Sequence, residues 1–216
     1  MKIELIGHEF ARLVKDVSKA VVDKKDATAS NFRNVVIDTT HPGEIRLSAT
    51  DRYLVVQTKA KTAEAETAQI VAAASIDALQ TAVSTVDKFA TVTIEVEDEK
   101  VSFVIGYEGN TREITTENTI ETVEGFYRAL SAKFDEAEEA ANSCEKTPVE
   151  FLRFDTGFIK KLPQRGRVTP VEITVAEGGK ATRGHLYYLR HCEGEWRALM
   201  QGLSLQSGKT VAWKAE

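Results

Sequence analysis

Residues 34–60 read NVVIDTTHPGEIRLSATDRYLVVQTKA. Three β-branched stretches stand here, Asn34–Thr39, Glu44–Ala49 and Tyr53–Ala60, and His41-Pro42-Gly43 is a turn signal between the first two. Upstream, Lys2–Ile6 alternates charged and apolar residues as a short strand does. From about His8 to Asp23, Phe10, Leu13, Val14, Val17, Ala20 and Val21 recur at spacings of three and four, the apolar stripe of a helix. Arg12, Lys15 and Lys19 fall on its other side. The cluster Asp26–Ser30 reads as the loop that closes it. The first sixty residues therefore read β-α-β-β-β.

The same order returns. Thr67–Ala73 reads as a strand, and Ser75 is placed to N-cap a helix running to about Lys88 with Ile76, Leu79, Val83 and Val86 on one face. Thr91–Val96, Val101–Gly106 and Thr111–Thr115 are three more strands. A third copy is read from Val149–Phe154, a short helix near Thr156–Leu162, and strands at Val171–Ala176, His185–His191 and Arg197–Leu205. Between copies two and three, residues 117–147 look less regular. Gly125–Phe134 is compact and apolar, and Asp135–Ala141 is acidic, either helical or a solvated loop. Repetition of element order with a period of about 55–65 residues marks a repeat architecture. Each unit has one helix stripe and sheet faces to bury, which two units achieve by packing two helices under two sheets. The expected class is α+β: repeated β-α-β-β-β units with helices on one face of antiparallel sheets. The expected domains are 1–116, holding two units, and 117–216, a shortened second domain.

Composition sets outer bounds. The chain has 216 residues, 42% of them hydrophobic, enough for a sizeable core. No apolar run approaches the roughly 20 residues that span a bilayer. The start, MKIELIGHEF, lacks an apolar leader, so a cytoplasmic, non-membrane protein is the expectation. Two cysteines, Cys144 and Cys192, make no disulfide framework. The net charge of -5 reads at first as unfavourable for nucleic acid. Its distribution is different. Residues 1–60 hold 10 basic and 8 acidic side chains, 61–148 hold 7 and 18, and 149–216 hold 11 and 7. Two mildly basic segments flank an acidic middle, and a local basic face is compatible with an acidic whole.

Motifs for catalysis are weak. Gly208-Lys209-Thr210 resembles the end of a phosphate-binding loop, but Leu203 stands where the required glycine belongs. His185, His191 and Cys192 lie close in sequence without a second ligand pair, and on a strand His191 and Cys192 point to opposite faces. No nucleophile accompanies either histidine. Glu136–Glu139 reads as a solvated acidic face. No metal, cofactor or enzyme activity is expected.

Two features remain. Arg12, Lys15, Lys19, Lys24 and Lys25 gather in and after the first helix, and Lys160, Lys161, Arg165 and Arg167 in the third unit's helix region. They are either ordinary solvated side chains or one surface that meets phosphates without reading sequence. Apolar residues also collect at unit edges: Tyr53, Leu54 and Val55, then Tyr127 and Leu130, then Leu199, Met200, Leu203 and Leu205. They are either core or a groove for a partner peptide.

Ala49-Thr50-Asp51-Arg52-Tyr53 resembles the Ala-Thr-Asp-x-Tyr/His signature of bacterial DNA polymerase III beta subunits, the DNA sliding clamps. Asn34–Ile37 with Gly43–Leu47 resembles the preceding strand pair of that family. Val123–Leu130 (VEGFYRAL) resembles its segment between the second and third domains, without the family's proline. Phe154–Leu162, Pro170–Ala176 and Ala198–Leu205 resemble the closing half of its third domain. Leu54-Val55 stand where the family has Arg-Leu.

The resemblance implies a DNA-clamp fold, a ring of β-α-β-β-β units with helices facing the DNA and sheets outside. It implies a processivity factor that encircles duplex DNA and tethers a DNA polymerase, working with a clamp loader as a homo-oligomer. Its DNA-facing residues would be the nine basic side chains above. Its groove for polymerase and other clamp-binding peptides would use Thr50, Arg52, Tyr53, Leu54, Val55, Tyr127, Leu130, Leu199 and Met200. A bacterial clamp chain has three domains and this chain has room for at most two, so three chains would be needed for six domains. The alternative is a clamp-derived interaction module that binds polymerase or clamp partners without encircling DNA.

Overall fold

The computed structural model describes residues 2–62, 70–143, 157–164, 171–177 and 186–202. Strand β1 (Lys2–Ile6) runs into helix α1 (Gly7–Ser18). β2 (Asn34–Asp38), β3 (Glu44–Thr50) and β4 (Leu54–Lys61) follow. β5 (Val71–Ser75), α2 (Ile76–Thr85), β6 (Thr91–Val96), β7 (Lys100–Tyr107) and β8 (Asn110–Glu117) repeat the order. A 24-residue helix, α3 (Ile120–Ser143), leads to β9 (Val171–Glu177), β10 (Leu186–His191) and β11 (Trp196–Gln201). The α+β class and the doubled β-α-β-β-β unit are as expected. The third unit's first strand, at 149–154, lies outside the described residues, and its helix is a single 3-10 turn at Ile159–Lys161.

The first two units exchange their leading strands. β1 joins the second unit's sheet in the order β1-β6-β7-β8, and β5 joins the first unit's sheet beside β2. All pairings are antiparallel. The first unit's sheet then continues through β4, whose residues Leu54–Thr58 pair with Met200–Trp196 of β11, into β10 and β9. One seven-stranded sheet thus joins the first unit to the third.

Period-two alternation sets which face each side chain takes. Ile3 and Leu5, Val92 and Ile94, and Val101 and Phe103 face inward from the four-stranded sheet. Val35, Ile37, Ile45, Leu47, Leu54 and Val56 do so from the seven-stranded one. Between them lie α1, through Phe10, Leu13, Val14 and Val17, and α2, through Ile76, Leu79 and Ala82. The two helix ends meet closely. A Cβ on Gly7 would sit 2.2 Å from the Asp87 carbonyl oxygen and 2.6 Å from Val86 Cγ1, so only glycine fits where α1 starts. The Glu108-Gly109 loop between β7 and β8 has φ of 48° and 81°, the left-handed pair that a two-residue hairpin needs.

α1 ends at Ser18, five residues before its predicted end. Val22 leaves the helix to donate its N–H to the Phe32 carbonyl at 3.3 Å, which suits a β-branched pair better than another helical turn. The Asp26–Ser30 loop is taken into a 3-10 turn at Ala27–Arg33. Ser75 does cap α2: its Oγ accepts the Ala78 N–H at 3.2 Å. Ser75→Ala is expected to cost about 1 kcal/mol by chemical denaturation, with little change in the rest of the fold.

Within the less regular middle expected at 117–147, residues 120–143 form α3, the helical of the two readings for 135–141. Val123, Tyr127, Leu130, Phe134, Ala137 and Ala141 form one stripe at spacings of four and three. It packs on the sheet face opposite α1, against Val36, Val55, Leu186, Tyr188 and Leu199. In the acidic stretch 135–139, Glu136 and Glu139 are exposed, Asp135 and Glu138 reach Arg197 of β11, and Ala137 is buried. No helix among the described residues is long and apolar enough to cross a membrane.

Candidate nucleic-acid interface and partner cleft

α1 presents its polar side away from the sheets, and the basic residues on it divide into two kinds. Lys15 and Lys19 are exposed. They line a groove of about 370 Å³ with His8, Ala11, Pro163 and Gln164, so the third unit's segment 157–164 lies alongside α1. Lys160 is exposed on the turn just before that groove. Lys24 and Lys25 are exposed beyond the helix, and Lys24 Nζ stands 3.8 Å from Asp77.

Arg12 differs. Its Nη2 donates to Glu9 at 2.7 Å and to the Lys59 carbonyl at 2.8 Å, and its Nη1 lies 3.5 Å from Asp16 and from Thr58 Oγ1. This guanidinium fastens α1 to β4. Lys161 is likewise engaged, with its ammonium on the Asp51 carboxylate. Acids of the chain itself thus pair both charges, although Arg12 also lines the groove beside Lys15 and Lys19. Arg165 and Arg167 lie outside the described residues. The exposed side of α2 adds no cation, with Asp77, Gln80, Thr81 and Ser84 outward.

The Thr50-Asp51-Arg52-Tyr53 stretch is a turn built by side chains. Thr50 Oγ1 accepts the Arg52 N–H at 3.0 Å, and Asp51 Oδ1 accepts those of Tyr53 and Leu54 at 3.0 and 2.8 Å. Arg52 at its tip has φ of 82°, a left-handed conformation that costs a side-chain-bearing residue energy and that these capping bonds hold. Asp51 then reaches the third unit through Lys161, so the motif links the two halves of the chain.

The predicted groove residues are not gathered on one open surface. Leu54 and Met200 point toward the α1 side and are fully buried. Val55 and Leu199 point to the other side, where Leu130 of α3 covers them. Tyr127 packs nearby against Val36 and Ala73, and Thr50 is buried as well. Of the residues expected to share one apolar groove, Thr50, Val55, Tyr127 and Leu130 do line one groove, together with Phe32, Val36, Val123 and Phe126, whereas Leu54 and Met200 lie on the opposite face of the sheet. Strand alternation splits the set, and α3 fills the outer face. Arg52 and Tyr53 alone of the nine remain partly exposed. They line a separate cleft of about 420 Å³ with Val21, Val22, Phe158 and Lys161 and with the acids Asp23, Asp26 and Asp51. The Tyr53 ring stacks on Phe158 at 6.4 Å between centroids. Phe158, which no sequence motif singles out, is the aromatic floor of this cleft. Its one signal is its position two residues before Lys160-Lys161.

α3 is held to the sheet by polar bonds as well. The Tyr127 hydroxyl donates to Asp38 Oδ2 at 2.6 Å in a buried pair, and Asp38 Oδ1 also accepts from the Thr40 N–H and hydroxyl. Burial first, and then the Asp38 charge, push the Tyr127 phenol well above its ordinary value of 10.0. A group raised in the folded state stabilises below its unfolded value and loses that contribution as pH rises past it. Stability is thus expected to fall above pH 10. Tyr127→Phe should remove part of that fall and, at neutral pH, cost about 1.5–3 kcal/mol, the range for a hydrogen bond to a charged partner. Paired denaturation curves at neutral pH and just above the ordinary tyrosine value test both.

No protein-family model matches the sequence, and no curated protein does. Solved structures do match. The DNA polymerase III beta subunit of Thermotoga maritima superposes with a TM-score of 0.63 at 13% identity, over 95% of this chain and 66% of its own. A putative beta subunit of Eubacterium rectale gives 0.64 at 9% identity, over 94% and 65%. The beta subunit of Borrelia burgdorferi, solved in complex with a natural product, gives 0.64 at 10% identity, over 95% and 63%. The chain spans slightly under two thirds of the length of these structures. With its doubled β-α-β-β-β unit and its two inner helices, it has the fold of the DNA polymerase III beta subunits, the sliding clamps.

Proposed function

We propose that this chain is a DNA sliding clamp or clamp-like processivity factor, holding duplex DNA along its α1 face and presenting a DNA polymerase to it. The observation that carries this reading is the exposed pair Lys15 and Lys19 lining one groove beside α1, with exposed Lys160 just before the segment that forms its other wall, on the clamp fold. Contacts of this kind go to phosphate oxygens, read no base edge, and leave the protein free to move along the duplex. The action is tethering, with no catalytic step. Encirclement would come from assembly of several copies through strands at the sheet edges, which among the described residues are β1 and β8 in one sheet and β5 and β9 in the other. β8 is exposed along most of its length and offers an unpaired edge. A polymerase would attach by an extended peptide whose apolar residues enter the Tyr53–Phe158 cleft.

Nicked circular duplex tests the proposal. The chain is expected to stay on the circle through gel filtration and to leave it once the circle is cut. Binding of equal strength to circular and linear DNA would contradict encirclement. Absence of binding to either at low salt would contradict the DNA reading altogether. The second reading, an interaction module that never encircles DNA, is favoured by the uncharged-to-acidic face of α2 and by the internal pairing of Arg12 and Lys161. In that case Tyr53→Ala would abolish partner capture while reversal of the lysines would leave it intact.

A further inference from the structure

The sheet face away from α1 carries a second, different site. Near the C-terminal half of α3, a cavity of about 120 Å³ opens between that helix and strands β3, β4, β10 and β11. Cross-strand register puts Arg46 opposite Lys59, and Gln57, Arg197 and Arg190 in one row across β4, β11 and β10. Tyr188 stands two residues from Arg190 along β10, on the same face, and is 1% exposed. The residue lines this cavity, and its hydroxyl is buried without a hydrogen-bond partner among the described residues.

Each arginine is oriented by the protein. Arg46 places Nε and Nη2 on Glu44. Arg190 places Nε on Glu172 and Nη1 on Asn142. Arg197 gives Nε to Gln57 at 2.8 Å and its two remaining nitrogens to Glu138 and Asp135. Those pairs fix the guanidinium groups, and Arg46 and Arg190 each keep an Nη nitrogen without a partner among the described residues. Guanidinium planes so fixed, beside a buried hydroxyl lacking an acceptor, match an oxyanion with several lone pairs. Burial, and then the Glu138 charge, raise the Tyr188 phenol against the opposing pull of Arg197 and Arg190, so that it stays a donor.

We propose that this outer-face cavity, built by Arg46, Tyr188, Arg190 and Arg197, binds a phosphate group. The occupant is inorganic phosphate or the terminal phosphate of a larger molecule. The site faces away from α1 and does not depend on the DNA reading.

The test is titration calorimetry of the full chain with potassium phosphate at neutral pH, against potassium chloride at equal ionic strength. Saturable binding is expected with phosphate and not with chloride. Tyr188→Phe and Arg190→Gln are each expected to weaken it about tenfold. Tyr188→Phe removes a hydroxyl without a partner among the described residues, so the fold is expected to survive, and circular dichroism checks this. A short 5′-phosphorylated single strand and its unphosphorylated twin identify the source. Competition by the phosphorylated strand alone assigns the site to a terminal phosphate, and competition by neither assigns it to free phosphate. Absence of saturable binding, or affinity unchanged by Tyr188→Phe in folded protein, would overturn the proposal.

Discussion

Phe134→Ala is expected to lower the stability of the chain by about 3–5 kcal/mol, the range for truncating a buried aromatic in a close-packed site. Phe134 is 1% exposed, in a cluster with Val55, Tyr188 and Leu199, and the Arg197 guanidinium lies 4.7 Å above its ring. Alanine would remove the largest apolar anchor of α3 and the surface on which Arg197 rests. A cavity between helix and sheet would remain, since the β-strands are fixed by their ladders and cannot close it. For a chain of this length the loss corresponds to roughly 10 °C in melting temperature. The size of the effect separates two pictures of residues 120–143. A solvated arm would lose at most about 0.5 kcal/mol. Circular dichroism melts of the variant beside Glu136→Ala, on the outer side of the same helix, make the comparison internal.

The second large effect is on DNA. Combined reversal of Lys15, Lys19 and Lys160 to glutamate is expected to reduce affinity for a duplex by on the order of 100-fold at about 50 mM salt. It should also lower the slope of log affinity against log salt by about three, one for each phosphate no longer neutralised. All three side chains are exposed, so the fold should tolerate the changes. Arg12→Gln gives the opposite pattern. Its guanidinium ties Glu9 and Asp16 to β4, so its removal should cost about 1–3 kcal/mol of stability and leave the salt slope unchanged. Fluorescence anisotropy over a salt series, with a melt of each variant, reads both quantities. Equal loss of DNA affinity in Arg12→Gln would argue that Arg12, which lines the same groove, also meets the duplex despite its internal pairs.

Much of the fold is legible in the sequence because its local signals agree. The strands at 34–60 and 91–117 combine β-branched residues with turn chemistry at Gly43 and Gly109, and Ser75 sits where a capping hydroxyl is needed. α3 is also written in the chain, at Val123, Tyr127, Leu130, Phe134, Ala137 and Ala141. The acids at 135, 136, 138 and 139 favour a loop reading, although they occupy the positions between the apolar ones, as an exposed helix face does. The exchange of β1 and β5 between sheets is not legible, because neither the alternation of β1 nor the run of buried alanines in β5 names the sheet that the strand joins. The site divides along similar lines. Thr50 and Asp51 announce a turn, and clustered lysines announce a basic face. Which cations are held inside the protein depends on contacts such as Arg12 with Lys59 and Lys161 with Asp51, 47 and 110 residues apart. Strand alternation by itself separates Leu54 from Val55 and Leu199 from Met200, and so assigns the groove residues to two opposite faces.

Lysine acetylation footprinting with and without duplex DNA tests the central claim most directly, because it asks which face of the molecule meets the duplex. Lys15, Lys19 and Lys160 lie on the α1 side, while Lys133 lies on α3 and Lys100 at the start of β7. DNA is expected to slow modification of Lys15, Lys19 and Lys160 and to leave Lys100 and Lys133 unchanged. Protection centred on Lys133, or equal rates at all five with DNA present at saturating concentration, would contradict the assignment of the α1 face to DNA.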